Sequence, residues 1–300
     1  MISEFQHWID QNLPSQKGKT ILITGGNSGI GYYAALALAK ASAHVVIAGR
    51  NPDKIDQAIK SIEAEGIDGH VEAGIVDLAS LESVRQYAAQ FVMDHSKLDI
   101  LINNAGVMMP PESKTEDGFE SQFGVNFLGH FALTGLLFDQ LQSTTSSRVV
   151  TLSSIAHRGA QIDFDNLQLE KPYDQKREYY QSKLADLLFT LELGRRVDAK
   201  GAAVLSVGCH PGFTKTELQR HVDPAILAKM TFMNAWQGAL PTLLAATGPH
   251  VAQGDYYGPD GPGELGGFPA IGAIDGSALD TAVAKQLWDV AQEATGIAFA

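Results

Sequence analysis

The stretch Thr20-Ile21-Leu22-Ile23-Thr24-Gly25-Gly26-Asn27-Ser28-Gly29-Ile30-Gly31 runs from β-branched and apolar residues straight into a glycine-rich turn. The Ala- and Leu-rich residues 30–41 that follow have helical character. A strand entering a helix through such a turn gathers backbone N–H groups at the positive end of the helix, which suits a pyrophosphate. Glycines are needed because a Cβ would block that approach. The spacing of Gly25, Gly29 and Gly31 is G-x-x-x-G-x-G, not the commoner G-x-G-x-x-G. As an isolated string it says little; its place between a strand and a helix gives it force. Gly25, Asn27, Ser28, Gly29, Ile30 and Gly31 are therefore candidates for holding a dinucleotide.

Working outward, short β-branched or apolar runs alternate with segments of helical length. Strands are expected over 20–24, 45–48, 70–73, 100–103, 149–152 and 204–207, and helices over 30–41, 53–65, 81–96, 119–141 and 178–199. Helical crossovers between parallel strands are right-handed and cover both sheet faces. The expected fold is therefore α/β: a doubly wound parallel sheet of Rossmann type, three layers in a single domain. Residues 1–18 read as an N-terminal arm and 19–300 as one dinucleotide-binding catalytic domain. A substrate lid is expected over about 213–240 and a Gly/Pro-rich extension over 254–300. Within that extension, 254–276 is a structured loop or a short last strand, and 278–295 is helical with Leu287 and Trp288 as apolar anchors.

Composition narrows the function. With 22 Lys+Arg against 34 Asp+Glu, the net charge of -12 disfavours nucleic acid and anionic membranes. A single cysteine, Cys209, forms no intrachain disulfide and reads as a buried filler. The opening residues MISEFQHWIDQNLPSQKGKT suit neither a secretory leader nor a transit peptide, and no apolar run reaches the roughly 20 residues of a membrane span. The expectation is a soluble cytoplasmic protein acting on a small molecule, with no nucleic-acid or membrane partner.

The end of the second strand separates the two nicotinamide dinucleotides: an acid there holds a ribose 2′-hydroxyl, whereas an arginine accepts a 2′-phosphate. Here Val45-Val46-Ile47-Ala48-Gly49 ends in Arg50-Asn51, with no acid. NADP(H) is therefore expected in preference to NAD(H), with Arg50 and Asn51 at the phosphate. Asp77-Leu78, after the third strand, fits either the adenine side of the site or a helix cap.

Among eight tyrosines only Tyr179 has a lysine four residues on, Lys183, which in a helix puts both side chains on one face. A nearby ammonium favours a phenolate, so Lys183 can tune Tyr179. Three further features accompany this pair. Asn103-Asn104-Ala105-Gly106 ends the fourth strand, Ser153-Ser154 ends the fifth, and Asn126 is a polar residue in an otherwise apolar helix. His157 and His210 show no metal-ligand spacing and read as structural; no metal is called for. Phe119, Phe123, Phe127 and Phe131 recur at helical spacing and read as core.

Taken in order, TGGNSGIG, NNAG, the helix asparagine, the serine, Y-x-x-x-K and Pro211-Gly212 resemble the short-chain dehydrogenase/reductase family from about Gly18 to Ala300. Ser154-Ile155-Ala156-His157, Tyr179-Tyr180-Gln181-Ser182-Lys183-Leu184-Ala185 and His210-Pro211-Gly212 resemble its retinol-dehydrogenase-like branch. The resemblance implies a catalytic set of Asn126, Ser154, Tyr179 and Lys183. Tyr179 would be general acid in reduction or base in oxidation. Lys183 would hold the nicotinamide ribose and lower the Tyr179 pKa, and Ser154, preferred over Ser153, would hydrogen-bond the substrate oxygen. Asn126 would bend its helix around a water linking Lys183 to solvent. Asn104, Ala105, Gly106, Pro211, Gly212 and Thr216 would complete the cofactor pocket. The implied reaction is hydride transfer between NADP(H) and a carbonyl or alcohol; the resemblance also allows a homodimer. Two other readings are a reductase of tetrapyrrole C=C bonds, which shares the Tyr/Lys pair, and a non-enzymatic dinucleotide sensor.

The segment after Pro211-Gly212 bears on the substrate. Phe213, Leu218, Ile226, Leu227, Met230, Phe232, Met233 and Trp236 supply apolar surface, and Lys215 and Arg220 are its early cations. Apolar walls fit apolar ligands, so a hydrophobic aldehyde, ketone or alcohol is expected.

Overall fold

The computed structural model describes residues 2–300. Its strands are β1 (Thr20–Thr24), β2 (His44–Gly49), β3 (His70–Ile75), β4 (Ile100–Asn103), β5 (Ser147–Leu152), β6 (Val204–Cys209), β7 (Tyr256–Pro259) and β8 (Pro269–Ile271). They form one sheet in the order β3-β2-β1-β4-β5-β6-β7-β8. Pairing is parallel from β3 to β7, whereas β8 returns antiparallel to β7. The 254–276 segment is thus a hairpin that adds two strands, one of them antiparallel to the rest of the sheet.

Strand periodicity divides the core in two. In β1, Ile21 and Ile23 join one cluster and Leu22 the other, because successive side chains leave opposite faces. One face is covered by α1 (Ser3–Asn12), α2 (Gly29–Lys40) and α3 (Pro52–Ala64). The other carries α4 (Leu81–Asp94), α5 (Gly129–Leu136), α6 (Phe138–Ser143) and α7 (Gln175–Lys200). Later come the short α8 (Pro224–Leu227), then α9 (Ala235–Thr247) on the α2 side and α10 (Thr281–Thr295) on the α7 side.

Two segments depart from expectation. Residues 1–18 are more than an arm: α1 buries Phe5, Trp8 and Ile9, and Phe5 packs edge-on against Tyr33 and next to Trp236. The 119–141 segment is not one α-helix. A π-helical turn at Phe123–Leu128 precedes α5, and α6 follows after Leu137. Phe123, Phe127 and Phe131 are nonetheless buried, with Phe131 meeting Trp288 of α10 at 5.0 Å.

Strand order reverses between β1 and β4, leaving a crevice beyond their carboxyl ends, where open α/β sheets bind ligands.

Candidate active site

At the mouth of that crevice the β1–α2 turn is shaped by its glycines. Gly25 and Gly29 have φ of 68° and 54°, the left-handed region, and a Cβ on Gly31 would lie 2.4 Å from the Gly25 carbonyl oxygen. Ser28 caps α2 without a side-chain hydrogen bond, so the first N–H groups of α2 face the cleft lined by Asn27, Ser28, Gly29, Ile30 and Gly31. The turn is braced from β4. Asn104 Nδ2 donates to the Thr24 carbonyl at 2.7 Å, and the Asn104 and Ala105 N–H groups donate to Thr24 Oγ1 at 2.9 and 3.0 Å. With both N–H groups on its oxygen, Thr24 gives its proton to His130 Nε2 at 2.8 Å, and His130 Nδ1–H donates to the Asn126 carbonyl at 2.7 Å. Burial pulls the His130 pKa down to about 4, keeping it neutral in that role.

Arg50 and Asn51 line the same cleft, as does Lys54, a cation the sequence reading did not single out. Asn51 Oδ1 also caps α3 by accepting from Lys54 N at 2.9 Å. Lys54 Nζ reaches across the cleft to Glu217 at 3.4 Å. Asp77 and Leu78 line it too; Asp77 accepts from Ala79 N in a local turn, while Ser80 caps α4. The helix-cap reading of Asp77 therefore does not hold, because the cap lies three residues on.

Deeper in the cleft lie Ser154, Tyr179 and Lys183. Asp174 starts α7 by accepting from Lys176 N and Arg177 N, and the helical rise stacks Lys183 one turn beyond Tyr179. Burial raises the Tyr179 pKa, while the Lys183 charge and a hydrogen bond from Ser154 pull it down. The net shift is upward: Lys183 acts in the direction expected of it, but burial outweighs it. Ser153 is not available for the same task, because its hydroxyl donates to the Lys183 carbonyl at 2.6 Å. Asn126 sits in the π-helical turn and clamps Val107, accepting from its N–H at 2.8 Å and donating to its carbonyl at 3.0 Å. It also donates to Ser182 Oγ at 2.9 Å. Asn126 thus fixes the irregular segment that follows Gly106.

Asp186 is the main omission of the sequence reading. It is 1% exposed, and its Oδ2 accepts from Lys183 Nζ at 2.8 Å while the ammonium also donates to the Leu152 carbonyl at 3.0 Å. Burial works against the Lys183 charge, but Asp186 and Tyr179 overcome it and hold its pKa above the ordinary value. Burial pushes the Asp186 carboxyl up to about 7, against the pull of Lys183. The i,i+3 spacing from Lys183 was the signal; an Asp on an otherwise apolar helical face marks a buried partner.

Both histidines of the sequence reading serve as struts. His157 donates through Nδ1 to the Ser154 carbonyl at 2.6 Å and accepts at Nε2 from Asp275 N at 3.3 Å. His210 accepts from Gly212 N and bonds Glu264, which also pairs with Arg158 at 2.8 Å. The C-terminal segment therefore holds Ser154 and the Pro211-Gly212 turn, where Gly212 has φ of 62°. Cys209 is buried, and burial raises its pKa to about 12, so it remains a thiol.

The segment after Gly212 covers the cleft. Phe213, Leu218, Ile226, Leu227, Met230 and Phe232 line it, and Thr216 lies against Gly29. Two of the expected lining residues do not. Met233 packs on Gly266 and Gly267, and Trp236 is buried in the α2-side core, because α9 begins at Ala235. Arg220 lines the cleft, whereas Lys215 is exposed outside it. The cleft holds about 960 Å³.

A glycine turn at a helix amino end, a switch-point crevice and a buried Tyr179/Lys183 pair beside the half-buried Ser154 define a dinucleotide-dependent oxidoreductase site. A family model described as short chain dehydrogenase matches residues 19–226, and the chain belongs to that family. It is similar to human retinol dehydrogenase 13, at 45% identity over 241 residues covering 80% of this chain and 71% of that protein. Human polyprenol dehydrogenase is 40% identical over 254 residues, covering 81% and 77%. Among solved structures, an uncharacterised protein from Mycobacterium paratuberculosis is 38% identical with a TM-score of 0.82, covering 97% and 98%. Pseudomonas aeruginosa RhlG, described in an NADP active-site complex, is 25% identical with a TM-score of 0.65, covering 81% and 94%. The chain is therefore a short-chain oxidoreductase of the retinol-dehydrogenase-like branch with a nicotinamide dinucleotide cofactor. Among the described residues no helix is long and apolar enough to cross a membrane.

Proposed function

We propose that the protein uses NADP(H) to interconvert hydrophobic aldehydes or ketones with their alcohols. The observation that carries this reading is a single cleft with Arg50 at one end, Ser154, Tyr179 and Lys183 within it, and apolar lid residues closing it. The glycine turn fits a pyrophosphate, since a Cβ at Gly31 would collide with backbone. Arg50 and Lys54 would hold a 2′-phosphate, with Asn51 beside them. Asp77 and Leu78 would border the adenine, while Asn104, Ala105, Gly106, Pro211, Gly212 and Thr216 would enclose the remainder. The nicotinamide supplies or accepts the hydride. Ser154 would orient the substrate oxygen, Tyr179 would pass the proton to or from it, and Lys183 would hold the ribose and bias Tyr179 toward release. Asn126, through Val107, would keep Gly106 close to that ribose.

Two expected results follow. In dinucleotide titrations the protein should bind NADP(H) more tightly than NAD(H), and Arg50→Asp should erase or reverse that order. An unmodified protein that favours NADH would refute the role of Arg50. Along a homologous series of aldehydes, affinity should rise by up to about 0.8 kcal/mol per buried methylene. Flat affinity, or a preference for charged sugars or hydroxy acids, would shift attention from Ile226, Met230 and Phe232 to Arg220.

A further inference from the structure

Remote from the cleft, three histidines surround one glutamate at the amino ends of β2 and β3. Register pairs His44 with His70 on adjacent strands, ring centroids 5.0 Å apart. Glu72 lies two residues beyond His70 and so on the same face. His95, at the carboxyl end of α4, comes in from the helix layer with its ring packed on Phe91 at 4.3 Å. Glu72 Oε2 is 3.2 Å from His44 Nε2 and 3.9 Å from His70 Nε2, while Oε1 is 2.9 Å from His95 Nε2.

Ordinary hydrogen bonding accounts for only part of this cluster. His95 and Glu72 satisfy one another, but His44 Nε2 is buried and makes no hydrogen bond, although a carboxylate oxygen lies beside it. Buried ring nitrogens are seldom left so. The donor atoms of His44, His70 and Glu72 lie within 4.8 Å of one another. Ligand atoms about 2.0–2.1 Å from a tetrahedral ion are separated by roughly 3.3 Å, and the two histidine–carboxylate distances bracket that value. The adjoining cavity of about 580 Å³ is lined also by Gln90 and Asp94 and by no Lys or Arg among the described residues.

We propose that His44, His70 and Glu72 bind a divalent transition metal of the zinc class, with water completing the coordination and His95 fixing the carboxylate through its second oxygen. Two imidazoles and a carboxylate suit Zn²⁺, Co²⁺ or Ni²⁺, not the oxygen-seeking Mg²⁺ or Ca²⁺. An outer partner such as His95 orients the ligand it touches. The ion joins the sheet-edge strand β3 to β2 and, through His95, to α4. At about 3.3 Å per residue, β2 and β3 separate it by roughly 20 Å from Arg50 and Asp77, so its effect is on stability and not on hydride transfer.

The test is calorimetric titration of the tag-free full chain with Zn²⁺, together with Co²⁺ absorption and thermal unfolding. The expected result is one ion per chain at micromolar affinity or tighter, a tetrahedral Co²⁺ spectrum and a higher Tm with metal. Glu72→Gln and His44→Gln/His70→Gln should each weaken binding at least a hundredfold, and His95→Leu about tenfold. NADPH turnover should be the same with or without the metal. Because Glu72→Gln keeps both the side-chain volume and a hydrogen bond to His95, it separates loss of a ligand from loss of the fold. No stoichiometric binding at 100-fold excess metal, or equal binding by Glu72→Gln, overturns the proposal.

Discussion

Tyr179→Phe is expected to lower turnover by about 10²–10⁴ while dinucleotide binding survives, because the substitution removes only the hydroxyl that general acid–base catalysis requires. The phenyl ring keeps the packing of a side chain that is 6% exposed, so the fold is unaffected. Single-turnover kinetics and cofactor titration on the same preparation separate the two effects. Near-normal turnover would overturn the assignment of Tyr179, and with Ser154→Ala equally active the proposed chemistry would fail altogether.

Lys183→Ala is expected to act twice. It removes the ammonium beside Tyr179, which lowers turnover and dinucleotide affinity together. It also leaves Asp186 buried without its partner, since Lys183 is the only group that Oδ2 contacts and Oδ1 has no hydrogen bond among the described residues. Removing one member of a buried pair costs about 3–5 kcal/mol. That cost depends on pH. The Asp186 carboxyl already sits at about 7 beside Lys183, and without the ammonium it rises further above its unfolded value of 3.8. The penalty is therefore largest at alkaline pH and fades as acid protonates the carboxyl. Adding Asp186→Asn should restore stability in urea unfolding without restoring turnover. A Lys183→Ala protein as stable as the parent at pH 8 would show that the pair carries no such energy. Cys209 and His130, also near Lys183, carry no charge near neutrality, their pKa values displaced by burial to about 12 and about 4.

The fold was legible because its signals are local. Alternation of β-branched runs with helical segments places the ends of β1 to β6 within two residues of their positions, and period-2 alternation assigns Ile21 and Ile23 to one face and Leu22 to the other. The places where that reading fell short are those where distant contacts decide. The opening residues form a helix because Phe5 finds Tyr33 and Trp236. The 119–141 helix is broken by a π-turn at Asn126, whose side chain is committed to Val107 and Ser182. Trp236 left the expected lid because α9 turns it into the core.

The sequence alone determined the glycine turn, the strand-end Arg50 and the Tyr179/Lys183 helix pair, because each is set by spacing within one element and its neighbour. Only the tertiary structure decided that the Ser153 hydroxyl is committed to the Lys183 carbonyl although both serines line the cleft, that Asp186 pairs with Lys183 out of reach of water, and that Lys54 joins Arg50. It also brought His44, His70, Glu72 and His95 together from two strands and a helix end, a grouping with no linear spacing to announce it. The physical reason is the same in each case. Backbone periodicity fixes where a side chain points within its own element, but burial and partnership depend on which other element arrives beside it, and that is a property of the packed chain.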